Sequence, residues 1–202
     1  QKRFKQPWYA GETLSAGIGQ GYVTATPMQM ANAIAATAVG KRFRPHFVRQ
    51  VETPDGEVIH AETPEIIGEL KVRATTLREV RDGLRDVVNT ERGTGKKAKI
   101  SGFDVAGKTG TSQVVKLGKE RLKAAQMPWQ HRDHAWFVAY APAEAPEIAV
   151  AAVVQHAEGG GGAVAAPVVR AVIRKYAQLK GLLVGEKYAQ RSEEHTSELQ
   201  SP

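Results

Sequence analysis

Apolar positions recur along this chain with a changing period, and each change marks a boundary between elements. Met30, Ile34 and Ala38 stand at helical spacing behind Thr26-Pro27, a capping residue followed by a proline suited to the first helical turn, and Gly40 ends the run. Leu77, Val80, Leu84, Val87 and Val88 mark one face of a second helix, which gives way to the basic polar loop Asn89–Gly95. A last helix is expected to open at Pro167, with Val168, Val169, Val172, Ile173 and Tyr176 on its face.

Between the helices the residue types favour strands. Short β-prone runs over 44–51 and 57–60 flank Pro54-Asp55-Gly56, whose turn chemistry predicts a hairpin. Three more strands are expected over 105–115, 135–141 and 148–156, the last two dense in valine, alanine and aromatics. The glycine-rich Gly17–Gly21 reads as irregular, and Glu158–Gly162 as a flexible connector. The pattern predicts an α+β fold, an antiparallel sheet with helices packed on it.

Composition narrows this picture only a little. At 202 residues, 42% hydrophobic and 24% charged, the chain suits one globular domain. No run approaches the ~18 apolar residues a spanning helix needs. The absence of cysteine excludes disulfides, thiolate metal sites and a thiol nucleophile. The last stretch, 191–202, has no apolar periodicity and resembles the translation of a sequencing-adapter oligonucleotide, so the domain is read as residues 1–190 followed by a non-native tail. One arginine against three glutamates gives that tail −2, so the overall +7 leaves +9 for residues 1–190. Such a balance permits anionic partners without choosing among them. The chain opens on Gln1 with no apolar signal core and is read as a fragment.

Chemistry concentrates in Gly102–Gln113, which supports two incompatible readings. Gly102 to Thr109 fits the glycine-rich phosphate loop letter for letter, which suggests a nucleotide-binding enzyme. That loop, however, follows a buried strand and opens directly into a helix. Here Lys96, Lys97 and Lys99 are too charged for a central strand, and Gly110, Thr111, Val114 and Val115 favour strand over helix. In the other reading Lys108-Thr109-Gly110 lies on an edge strand beside a cleft. An ammonium there favours proton loss from a neighbouring hydroxyl and attracts a carboxylate, which threonine hydroxyls also bind. Gly110 lets a substrate backbone approach, and a free backbone amide just beyond it can donate to a developing oxyanion.

Other candidates fall to plainer explanations. His131, Asp133 and His134 lack third and fourth ligands at usual spacing and read as a polar loop leading into a strand, so no metal or other cofactor is expected. Trp136, Phe137 and Tyr140 alternate with small residues as sheet packing does, which gives no reason to expect a nucleic-acid partner.

Five blocks then point one way together: Arg3-Phe4-Lys5-Gln6-Pro7-Trp8-Tyr9, Gly17-Ile18-Gly19-Gln20-Gly21-Tyr22 with Thr26-Pro27-Met28-Gln29-Met30, Ala106-Gly107-Lys108-Thr109-Gly110-Thr111-Ser112-Gln113, His134-Ala135-Trp136-Phe137, and Gly160 to Pro167. In this order they resemble the C-terminal half of the transpeptidase domain of class B penicillin-binding proteins, especially the elongation-type penicillin-binding protein 2, over about Lys2 to Lys180. The resemblance implies a partial penicillin-binding, serine β-lactamase-like fold. It implies an enzyme that cross-links peptidoglycan stem peptides through an acyl-serine intermediate and binds β-lactams. It places the catalytic domain on the periplasmic face of the inner membrane, with an anchor in a region preceding this chain, and gives it a glycosyltransferase and other elongation-complex membrane proteins as partners. By the same resemblance Lys108 relays protons near the serine, Thr109 and Thr111 hold the donor or antibiotic carboxylate beside Gly110, and the Thr111 amide supplies half the oxyanion hole.

One departure is large. The family's Ser-x-x-Lys and Ser-x-Asn motifs do not occur here, and Ser15, Ser101 and Ser112 each lack a lysine three residues on. Both motifs precede this region in the family, so the chain is expected to be inactive alone. A non-catalytic cell-wall binding module stays open as a further alternative.

Overall fold

Thr26 caps its helix as expected. In the computed structural model, which describes residues 7–115 and 124–183, the Gln29 backbone N–H donates to Thr26 Oγ1 (3.2 Å) and the Thr26 N–H to Gln29 Oε1 (2.8 Å). The two hydrogen bonds form a capping box. Helix α2 (Pro27–Val39) follows and stops at Gly40 in the left-handed conformation. The tail set apart at 191–202 lies outside the described residues.

The sheet that organises the molecule has three antiparallel strands in the order β5 (Ala106–Ser112), β6 (His134–Ala141) and β7 (Ile148–Val154). Lys108 pairs with Val138, Gly110 with Trp136, and Ala139 with Val150. Alternation along β6 serves two cores. Phe137, Ala139 and Ala141 meet Ala165, Ala166, Val169, Ile173 and Ala177 of α4 (Gly161–Leu179). Val138 and Tyr140 meet Ile34 and Ala38 of α2 on the other face. Phe137, Tyr140 and Ile173 are fully buried, and burial of Phe137 and Ile173 contributes about 1.5–3 kcal/mol of transfer free energy each.

Helix α3 (Ala74–Asn89) lies across the start of β5 and joins both cores, Leu84 on the α2 side and Val87 and Val88 on the α4 side. Asn89 Nδ2 donates to the Val105 carbonyl (2.9 Å), and Arg85 pairs with Asp104. Val80 departs from the expected face: it is exposed.

The expected hairpin is present, but its first strand is shorter than the sequence suggested. Strand β2 (Gln50–Glu52) pairs with β3 (Val58–Ala61), while 44–49 form no strand. Pro45 has no N–H to give a ladder, which accounts for the break. Around this hairpin β1 (Lys41–Phe43) pairs with β4 (Ile66–Glu69), held by an Arg44–Glu65 ion pair. Neither β1, β4 nor the N-terminal helix α1 (Ala10–Gly17) was foreseen.

The glycine run is corrected most sharply. Glu158–Gly162 is no flexible connector: Gly160 is the N-cap of α4, and Gly161 and Gly162 form its first turn. A Cβ on Gly161 would collide with the Trp136 carbonyl oxygen, and one on Gly162 with that of Thr94. The helix therefore sits flush beneath the strands because those side chains are missing. Pro167 lies inside α4 rather than at its start, and Val168 and Val172 point outward. Proline's missing N–H leaves the carbonyl four residues earlier without its helical donor, and Lys97 Nζ donates to that oxygen, of Ala163, at 3.3 Å.

Candidate active site

Four chemistry-bearing residues, Lys108 to Thr111, lie on β5, an edge strand bonded only to β6 in this sheet. In an antiparallel ladder the N–H and C=O of one residue share a side, and alternate residues face opposite ways. The Thr109 carbonyl accepts from Lys108 Nζ (3.1 Å), and the Thr111 carbonyl from Gln20 Nε2 (2.6 Å). Both oxygens thus face away from β6, and the N–H groups of Thr109 and Thr111 face outward with them.

Side chains divide differently. Ala106 packs toward α2, so Lys108 and Gly110 begin on that side of the sheet, whereas Thr109 and Thr111 lie on the α4 side. The Lys108 ammonium folds around the edge to the Thr109 carbonyl, which brings a cation to the same rim as the two outward amides. Lys108 is exposed and has no ion-pair partner among the described residues. Thr109 Oγ1 shares a hydrogen bond with Thr94 Oγ1 (3.1 Å), and Gly162 lies under its methyl group.

Beyond Thr111 opens a cleft of about 570 Å³, bordered by Met127, Arg132, Asp133, Glu158 and Gly160. Arg132 Nη1 donates to Glu158 Oε1 (2.6 Å), and Arg132 Nε to the Ala124 carbonyl (3.1 Å). His134 does not turn to this cleft as a ligand. Its Nδ1 accepts the His156 N–H (3.0 Å), so it fastens the ends of β6 and β7. No group of three His, Cys, Asp or Glu that could hold a metal ion occurs among the described residues.

The nucleotide reading is overturned by this geometry. Gly107, Lys108 and Thr109 are extended strand, and among the described residues no α-helix occurs between Ser112 and Gly161. A phosphate cradle needs its lysine at a helix N-terminus, which β5 does not provide.

Sequence reasoning assembled the β5 residues but missed Gln20, Thr94 and the Arg132–Glu158 pair. A glutamine held between two glycines was the available sign for Gln20; nothing local marked the others.

A Lys-Thr-Gly strand edge of this kind is a motif of the class formed by penicillin-binding proteins and serine β-lactamases. The family model for the penicillin binding protein transpeptidase domain matches residues 3–174, and the chain belongs to that family. It is 40% identical over 181 residues to the peptidoglycan D,D-transpeptidase MrdA of Haemophilus influenzae, covering 87% of this chain and 27% of that protein. Against MrdA of Escherichia coli K12 it is 34% identical over 176 residues, 86% of this chain and 27% of that protein. The crystal structure of Pseudomonas aeruginosa PBP2 in complex with WCK 5153 superposes with a TM-score of 0.67 at 39% identity, covering 87% of this chain and 36% of that one. The complex between PBP2 and MreC from Helicobacter pylori superposes at 0.66 with 30% identity, over 90% of this chain and 30% of that one. The chain spans about a quarter of the length of the curated relatives it matches.

Proposed function

We propose that this chain carries the donor-binding strand of a peptidoglycan D,D-transpeptidase whose serine is contributed by polypeptide outside these 202 residues. The observation that carries the reading is that the Lys108 ammonium, Thr109 and the outward N–H and carbonyl of Thr111 lie along one open strand edge.

In this reading a stem peptide lies along β5 as an added strand. The serine oxygen attacks the carbonyl of the penultimate D-alanine, and the Thr111 N–H donates to the oxyanion that forms. Lys108 holds the rim positive and assists proton movement from the serine toward the leaving amine. The C–N bond breaks, D-alanine departs with that proton, and the acyl-serine remains. An amine from a neighbouring stem peptide then forms the new amide and returns the proton to the serine. Thr109 and Thr111 hold the donor's terminal carboxylate through their hydroxyls, as they would a β-lactam's. Gly110 keeps the approach open.

Membership of this family supports a place at the inner membrane with the catalytic domain on the periplasmic face, and an anchor outside this chain. No helix among the described residues is long and apolar enough to cross a membrane. The complex of the Helicobacter pylori PBP2 with MreC supports elongation-complex partners for the whole enzyme, and the proposed partners extend to a glycosyltransferase and other membrane proteins.

The test is a chimera in which this chain replaces the matching segment of the Haemophilus influenzae relative. Covalent labelling by fluorescent penicillin is expected in the chimera and not in the 202-residue chain alone. A folded chimera that takes no label would refute the reading.

A further inference from the structure

Gln20 reaches across 91 residues of sequence to the rim of β5, and its position has a mechanical basis. Its backbone is fixed at the end of α1, where the Gln20 N–H donates to the Ser15 carbonyl (2.9 Å) and the Gly19 N–H to that of Ala16 (3.0 Å). Gly19 and Gly21, with φ of 72° and 71°, take a conformation that residues with side chains rarely adopt. Together they turn the half-buried Gln20 toward the strand.

We propose that Gln20 is a positioning residue of the donor site: its carboxamide caps the Thr111 carbonyl while the site is empty and yields it to the N–H of an incoming donor. The identity of the donor rests on the function proposed above; the cap itself rests on geometry. A peptide adding antiparallel to β5 exchanges two bonds with Thr111 through one of its residues. That residue's carbonyl accepts the Thr111 N–H, so it is the carbonyl the serine attacks. Its own N–H is then directed at the oxygen that Gln20 Nε2 holds at 2.6 Å. An open strand edge also invites pairing with unrelated chains, and a side-chain amide on the exposed acceptor blunts that tendency. Ligands that bring an N–H to this position displace Gln20, and ligands without one leave it in place.

Acylation of the chimera separates the two classes. Ceftriaxone carries an acylamino N–H beside its lactam carbonyl, whereas imipenem carries a hydroxyethyl group there. Gln20→Leu, which keeps bulk but removes the donor, and Gln20→Ala should each speed acylation by ceftriaxone about 5-fold, the equivalent of one neutral hydrogen bond of about 1 kcal/mol. Acylation by imipenem should stay within about 2-fold of the parent, on the same scale. A merely structural role would move both ligands together, and that result, or an unchanged or lower ratio, overturns the proposal. A parent chimera that neither ligand acylates would instead count against the proposed function. The cap is then decided in the 202-residue chain carrying Val153→Lys, a substitution at the far edge of the sheet that disfavours self-association, labelled with ¹⁵N at glutamine and ¹³C at threonine carbonyls. A scalar coupling between Gln20 Nε2 and the Thr111 carbonyl is expected, and its absence sinks the inference whatever the acylation shows.

Discussion

The central sheet has two edges, and they are finished in opposite ways. β5 is polar at its rim: its outward carbonyls accept from Lys108 and Gln20, and Thr94 meets Thr109 alongside. β7 reads Ile-Ala-Val-Ala-Ala-Val-Val, every residue half-buried, and pairs on one side only with β6. Helices α2 and α4 cover its faces, but no strand among the described residues covers its edge. An edge dressed with displaceable side-chain donors is suited to a transient strand such as a substrate. An apolar edge without them is suited to a permanent one.

The largest effect concerns what supports the polar edge. Gly161→Ala drives a methyl group into the Trp136 carbonyl and should destabilise the chimera by about 3 kcal/mol, the upper range for overpacking. A lower urea midpoint checks this; an unchanged one would mean that α4 does not seat against β6 as described.

Next comes the apolar edge. The 202-residue chain should self-associate through β7, and Val153→Lys, at a position outside both core clusters, should shift it toward monomer in sedimentation velocity. Ser112→Lys on β5 should leave association as it was. Equal effects from the two lysines would erase the distinction between the edges.

A smaller effect tests the helix beneath them. Lys97→Met removes the donor to the Ala163 carbonyl and should cost about 1 kcal/mol. In a Pro167→Ala background the restored N–H takes that oxygen, so the same substitution should cost less. A double-mutant cycle in urea with no coupling between them would contradict the role given to Lys97. Smallest of all, Thr94→Val deprives Thr109 of a hydrogen-bond partner and should slow penicillin acylation of the chimera only a few-fold, by roughly 0.5–1 kcal/mol.

How far these features were legible in the sequence depends on the range over which each is determined. The Thr26 cap, the Gly40 stop and the three sheet strands are local, and Lys108 to Thr111 could be read because the residues that follow favour a strand over the helix that a phosphate loop opens. The glycine run was misread because glycine signals both freedom and close approach, and only the neighbouring Trp136 and Thr94 backbones distinguish them. Pro167 was misread in the same way. Its cue for a helix start is sound in isolation, but Lys97, seventy residues earlier, makes proline tolerable within the helix. Gln20 stood in one of the blocks that carry the resemblance but without a role, because its meaning lies in a contact with a strand that the chain reaches much later.

The account stands on the ammonium of Lys108 acting at the open rim of β5. The most direct measurement is the second-order rate constant for acylation of the chimera by fluorescent penicillin, with and without Lys108→Ala. A fall of at least about 100-fold at an unchanged urea midpoint is the result the account predicts, in line with loss of a group engaged in proton transfer. Undiminished acylation by the folded variant would contradict it.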